Sequence, residues 1–191
     1  MKTLLTLIGL SLLCEACALT PQTVQLKPDI QLKVGDVAKG REITVVTVDE
    51  RTRSVIGNRT VGAMGANITT EEDVAAIIHT SIVDGLRKKG FAIKTSLNPA
   101  DPRELRAEVR NIEYTVTPGI FSGTLRTEAA IKAVCNINKN REYEHLYRAE
   151  VSDWILVVQF AEANEKRINE SLSKVIQTML DDDQLITCLL K

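Results

Sequence analysis

The chain has no surplus of either charge: 24 Lys and Arg stand against 25 Asp and Glu, a formal charge of −1 over 191 residues. Without a basic excess there is no phosphate-binding face, so nucleic acid is not an expected partner. Like charges never run beyond Asp181-Asp182-Asp183. That triplet lacks the alternating spacing and the glycine of a calcium loop, which leaves helix capping as its role. Histidine is nearly missing. His79 and His145 are the two present, and neither stands at ligand spacing from cysteines or carboxylates, so no metal site is expected. No nucleophile elbow, HExxH helix or phosphate loop occurs; Gly57, Gly62 and Gly65 precede no Gly-Lys-Ser/Thr. Glu142 and Glu144 alternate on a long strand and read as a solvated face. No catalytic residue and no cofactor are therefore nominated, and the chain is not expected to be an enzyme.

Long apolar runs are also lacking. The most apolar one is Leu4 to Leu13, about half of the roughly 20 residues that a spanning helix needs. With Lys2 before it and Ala16-Cys17-Ala18 after it, it reads as an export signal over residues 1–16. A cysteine directly behind such a run, preceded by a small residue, resembles the lipobox of bacterial lipoproteins. That resemblance implies cleavage before Cys17 and acylation of its new N-terminus with three chains. One acyl chain binds a bilayer marginally, at about 0.8 kcal/mol per buried CH₂, and additional chains hold it stably. Of the three positions before Cys17, occupied by Cys14, Glu15 and Ala16, the last alone fits the usual pattern. The rival is plain secretion, with cleavage after Ala18 at an A-x-A site. Ala18, where Asp is the common retention signal, favours the outer membrane.

Once Cys14 is removed with the leader, Cys135 and Cys188 remain besides Cys17. In an oxidising compartment these two either form a disulfide or stay as buried apolar thiols.

After the leader, residues 17–40 contain Pro21, Pro28 and Gly35 and read either as a tether or as an arm packed on the domain. Residues 41–191 read as one α+β domain of a size that buries a core unaided. Ile43 to Val48 is a β-branched run typical of a buried strand. Thr69 with Glu72 has the spacing of a capping box, ahead of a helix with Val74, Ile77, Ile78, Ile82 and Leu86 on one stripe, stopped by Gly90. A short strand at Phe91–Thr95 and a turn at Asn98-Pro99-Ala100-Asp101-Pro102 lead to three long strands. In the first, the alternation changes phase near Arg110-Asn111, which predicts a bulge. In the second, Leu125, Thr127, Ala129, Ile131, Ala133, Cys135 and Ile137 share a face. The third runs from Tyr143 to about Val158. Ile168, Leu172, Val175, Ile176 and Met179 mark a second amphipathic helix over 161–180, and Asp182 or Asp183 caps a short last one. The fold class expected is a single α+β domain, a mainly antiparallel sheet with two main helices on one face.

The least ordinary stretch follows the first strand. Arg51, Arg53 and Arg59 stand close to Asp49 and Glu50. They form either local salt bridges or an arginine-bearing lip for an anionic ligand or partner, since guanidinium forks suit carboxylate and phosphate.

The leader, the strand entering Val48-Asp49-Glu50-Arg51, the segment Ile56-Gly57-Asn58-Arg59, the helix after Thr70 and the closing strand–helix pattern together resemble the YajG lipoproteins of Gram-negative bacteria, over nearly the full length. The resemblance implies an outer-membrane lipoprotein, lipid-anchored and facing the periplasm, from a family with no established activity. The function expected is that of a periplasmic interaction domain with an envelope protein as partner, an accessory to envelope assembly or transport. The alternative is a binder of a small cell-envelope fragment such as a muropeptide.

Overall fold

A computed structural model describes residues 20–61, 64–94, 102–119, 122–155 and 160–191. The leader, Cys17 and most of the turn at Asn98–Pro102 lie outside them. Eight strands form one sheet: β1 (Gln22–Thr23), β2 (Glu42–Asp49), β3 (Gly57–Val61), β4 (Met64–Thr69), β5 (Ala92–Lys94), β6 (Arg103–Pro118), β7 (Gly123–Ile137) and β8 (Asn140–Ile155). Three helices cover it: α1 (Val74–Lys88), α2 (Ala161–Leu180) and α3 (Asp183–Leu190).

The sheet is mixed, which corrects the expectation of a mainly antiparallel one. β6, β7 and β8 form a long antiparallel meander, but β2 runs parallel to both its neighbours, β5 and β6. β3 meets β6 in parallel, and β1 meets β4 in parallel. The physical reason lies in the crossover: α1 returns the chain so that β5 runs alongside β2, and a parallel strand so covered reads as a continuous apolar run. β6 is long enough to hold β2 and β3 end to end along one edge and β7 along the other.

The meander follows its sequence pattern. Leu125, Thr127, Ala129, Ile131, Ala133 and Cys135 are buried beneath the helices. Arg126 and Lys132 face water and pair with Glu150 and Glu144. The bulge falls between Val109 and Asn111. At the β7–β8 turn Asn138 and Lys139 both take positive φ, 51° and 68°, the left-handed pair that matches strand twist in a two-residue hairpin. On α2, Ile168, Leu172, Val175, Ile176 and Met179 are fully buried. The cap of α1 differs from expectation: Asp73 accepts from Ala76 N at 3.0 Å. Glu72 is instead turned to the backbone N–H of Leu26.

That contact belongs to the arm. Residues 20–40 do not hang free but lie along the domain, so residue 40 marks no boundary between tether and core. Gln25, Lys27 and Asp29 donate their backbone N–H groups to Glu165, Asn169 and Ser173 of α2, at 2.9, 2.6 and 2.8 Å. Two extended residues advance about 6.6 Å and four helical residues about 6 Å, so the two ladders stay in step. Asn169 also returns a bond from Nδ2 to Gln25 O at 2.9 Å. Between these rungs Val24, Leu26 and Ile30 turn inward and are buried in the common core. Gly35 and Ala38 then tie the arm to the end of α1 through Lys88 O and Lys89 O.

Candidate functional site

The sheet is interrupted on one edge of β6, and a concave polar surface lies there. β2 leaves β6 at Val109, whose carbonyl accepts from Glu50 N at 3.0 Å; β3 rejoins at Tyr114, whose N–H donates to Ile56 O at 2.8 Å. Between them, residues 110–113 have no strand partner on this edge among the described residues. The bulge and the excursion of residues 50–56 together open a cleft of about 540 Å³, lined by Arg51, Arg53, Ile56, Asn58, Asn111 and Glu113 among others. β3 can return this closely only because residue 57 is glycine: a Cβ there would stand 2.2 Å from Tyr114 O.

Arg51 is aimed by Asp49. Its Nε and Nη2 donate to the two carboxylate oxygens, both at 2.8 Å, in the bidentate geometry that fixes a guanidinium plane. The side chain is 8% exposed, and its Nη1 is buried with no hydrogen-bond partner among the described residues. An unsatisfied buried donor is costly, at about 1–3 kcal/mol, so this nitrogen is a natural recipient for a carbonyl, hydroxyl or carboxylate oxygen. The Arg51 hydrogen bond holds the Asp49 carboxyl below its usual range, against the opposing effect of partial burial. The pair is thus neutral as a unit, which leaves Arg53, exposed and without an ion pair among the described residues, and Glu113 as the other charges of the cleft lining. Outside the cleft, Glu50 is held between Arg106 and Arg110, each at 3.6 Å.

Arg59 is not part of this lip. Strand alternation sends Asn58 to the cleft and Arg59 to the helix-covered face, where Arg59 is 4% exposed. There its Nη1 donates to Thr20 O at 3.3 Å. Gln22, with its amide oxygen turned toward the guanidinium, accepts from Nη1 and Nε at 2.9 and 3.2 Å. Tyr114 donates to Asn164 Oδ1 at 2.9 Å in the same buried group. Burial raises the Tyr114 phenol to about 12, while the Arg59 charge pulls the other way. The structure therefore brings Arg51 and Arg53 together and assigns Arg59 to holding the arm. Asn58, Asn111 and Glu113 were not singled out as site residues from the sequence; the phase slip at Arg110-Asn111 was the one available signal.

Cys135 and Cys188 are joined in a disulfide, with Cα atoms 6.5 Å apart. Beside it, Tyr143 donates to Asp182 Oδ2 at 2.6 Å, and Tyr147 donates to the same oxygen. Asp182 Oδ1 caps α3 by accepting from Gln184 N at 2.8 Å. His145 lies between the two phenols, its ring centre 4.6 Å from that of Tyr147. Burial first, then the carboxylate, pushes both phenols up. This cluster and the disulfide pin α3 to the sheet. His79 meets Thr47 Oγ1 through Nδ1 at 3.3 Å. Among the described residues no group of three or more His, Cys, Asp or Glu is placed to hold a metal, and no helix is long and apolar enough to cross a membrane.

Solved structures that share the fold include two bacterial proteins. A neuraminyllactose-binding haemagglutinin homologue from Helicobacter pylori is similar at 9% identity with TM-score 0.54, over 87% of this chain and 98% of that one. A Xanthomonas campestris protein is similar at 15% identity with TM-score 0.51, over 88% and 94%. No curated protein matches the chain. The sequence model of a family described as uncharacterized lipoprotein matches residues 28–189, and the chain belongs to that lipoprotein family.

Proposed function

We propose that this chain is an outer-membrane lipoprotein of the YajG type, acylated at Cys17, whose periplasmic domain binds an envelope protein and catalyses nothing. The cleft between β2 and β3 is its contact site. The observation that carries this reading is Arg51: a cleft-lining guanidinium, aligned by Asp49, whose buried Nη1 has no hydrogen-bond partner among the described residues. Such a donor, beside an edge of β6 that lacks a strand partner, suits an extended peptide segment that offers carbonyl or carboxylate oxygens. The lining contains one carboxylate, Glu113, and no histidine or cysteine among the described residues, a set suited to binding. The outer membrane as the site of the anchor and a role in envelope assembly or transport are both part of the proposal.

A photoreactive residue in place of Arg53, in cells expressing the acylated chain, tests it. The expected product is a discrete crosslinked protein, absent when the same residue replaces Arg87 on the exposed face of α1. Equal labelling from both positions, or none from residue 53, refutes the cleft as the contact site.

The same observation supports a second reading, a small envelope fragment with a free carboxylate. The cleft volume of about 540 Å³ lies within the range of small-molecule sites. A muropeptide that raises the melting temperature of the wild-type chain but not of Arg51→Ala would favour it.

A further inference from the structure

The packed arm changes where the domain must sit. If residues 17–40 were a free tether, the domain could stand far from its anchor. Instead the chain is fixed from Thr20 onward, with the Thr20 carbonyl bonded to Arg59 and Gln22 in the sheet beside Ile68. Cys17 is three residues before Thr20, and three residues span at most about 11 Å however they run. Whatever end of the domain carries Thr20 must therefore lie against the bilayer that holds the acyl chains. This step rests on the acylation of Cys17 proposed above.

Strand register identifies that end. Gln22 pairs with Ile68 in a parallel ladder, so Thr20 is level with Ala66, which pairs with Arg59. Arg59 stands two residues beyond the Gly57–Tyr114 pair, hence level with Val116, then Leu125, then Asp153. Trp154 is one residue farther toward the same end. Phe160, which precedes α2, lies there too, because Ala161 N is 3.2 Å from the Gln22 side-chain amide. Both aromatic residues are 76% exposed. Two large exposed aromatics at one end are unusual for a water-facing surface, and Trp is the side chain most suited to the headgroup region of a membrane. Of the charges near them, Asp153 pairs with Arg167 and Arg126 with Glu128 and Glu150, while Glu162 in the first turn of α2 is exposed. Of the other exposed apolar residues, Val34 and Val37 lie by the C-terminal end of α1. That is the opposite end of a sheet whose longest strands run about 50 Å.

We infer that the domain stands end-on against the leaflet that carries its anchor, with Trp154 and Phe160 in the lipid interface and the cleft left open to the side. The occupant of this aromatic end is a phospholipid surface.

Trp154 is the chain's single tryptophan, so its emission reports this directly. The acylated full-length chain is placed in phosphatidylethanolamine–phosphatidylglycerol vesicles, with or without bromine on the acyl chains, and flotation and intact mass confirm attachment. The expected result is blue-shifted Trp154 emission that is largely lost with brominated lipid. In a Trp154→Phe chain carrying Val37→Trp, emission should be the same with and without bromine. A chain that is acylated and floats, yet keeps water-like, unquenched Trp154 emission, overturns the seating and leaves the anchor standing. Equal quenching from positions 154 and 37 overturns the end-on orientation. A chain that is unmodified and does not float removes the anchor, and the seating with it.

Discussion

Leu26→Ala separates a packed arm from a free tether. Leu26 is 2% exposed and belongs to the common core, though it stands between Pro21 and Pro28 in a stretch of little apolar content. Truncation removes three carbons, worth about 0.8 kcal/mol each as transfer energy. With the cavity left behind, the expected loss is about 2–5 kcal/mol. At about 2–4 °C per kcal/mol for a domain of this size, the melting temperature should fall by about 4–20 °C. Asn169→Ala attacks the same arm from α2. It deletes the bonds to Lys27 N and Gln25 O, each about 1 kcal/mol net, and so should cost about 2 kcal/mol. The assay is urea unfolding of the mature soluble domain followed by circular dichroism, with Lys33→Ala in the exposed part of the arm as control. The two variants should also release residues 20–40 to protease while the core resists. A Leu26→Ala midpoint equal to that of Lys33→Ala would refute the packed arm, and with it the close approach of the domain to its anchor.

Three further outcomes follow from the same structure. Alkylation of unfolded, unreduced domain should find no free thiol at 135 or 188, and reduction should cost about 4 kcal/mol for a loop of this length; two free thiols contradict the bridge. Ile131→Asp should unfold the domain, since an unpaired charge under the helices costs several kcal/mol, whereas Lys132→Gln breaks one exposed pair with Glu144 and should cost under about 1 kcal/mol. Similar unfolding midpoints for those two would mean a shifted β7 register. For Asp182, partial burial acts to raise the carboxyl, but the Tyr143 and Tyr147 hydroxyls and the α3 backbone outweigh it, so its folded pKa is lowered. A lowered folded pKa gives stability that is present above the unfolded value of about 3.9 and lost as pH falls through the folded one. The stability gap between wild type and Asp182→Asn should therefore be full at neutral pH and close in acid; a gap independent of pH between 7 and 3 would rule out an ionised Asp182 as the latch.

The parts of this fold legible from sequence are those with a period. The alternation from Leu125 to Ile137 gave a strand and its buried face. The stripe from Ile168 to Met179 gave α2, and the phase slip at Arg110-Asn111 gave the bulge that flanks the cleft. β2 carried its signal differently, in an unbroken β-branched run from Ile43 to Val48 without apolar–polar alternation, which is how a covered parallel strand reads. The antiparallel expectation overlooked it. The β3–β4 hairpin has no such pattern: Gly57, Asn58, Gly65 and Asn67 are poor strand formers, held there by pairing with each other and with β1 and β6. The packing of the arm is not legible locally, because its backbone bonds go to Glu165, Asn169 and Ser173, some 140 residues away. Arg59 was grouped with Arg51 and Arg53 by nearness in sequence, and β3 turned it to the other face.

The central claim is that this is a membrane-anchored lipoprotein held by Cys17. Intact-mass and N-terminal peptide analysis of protein extracted from membranes tests it most directly. The account predicts a mature chain that begins at Cys17 and carries three acyl chains. A full-length mature chain beginning at Leu19 and bearing no lipid would contradict it.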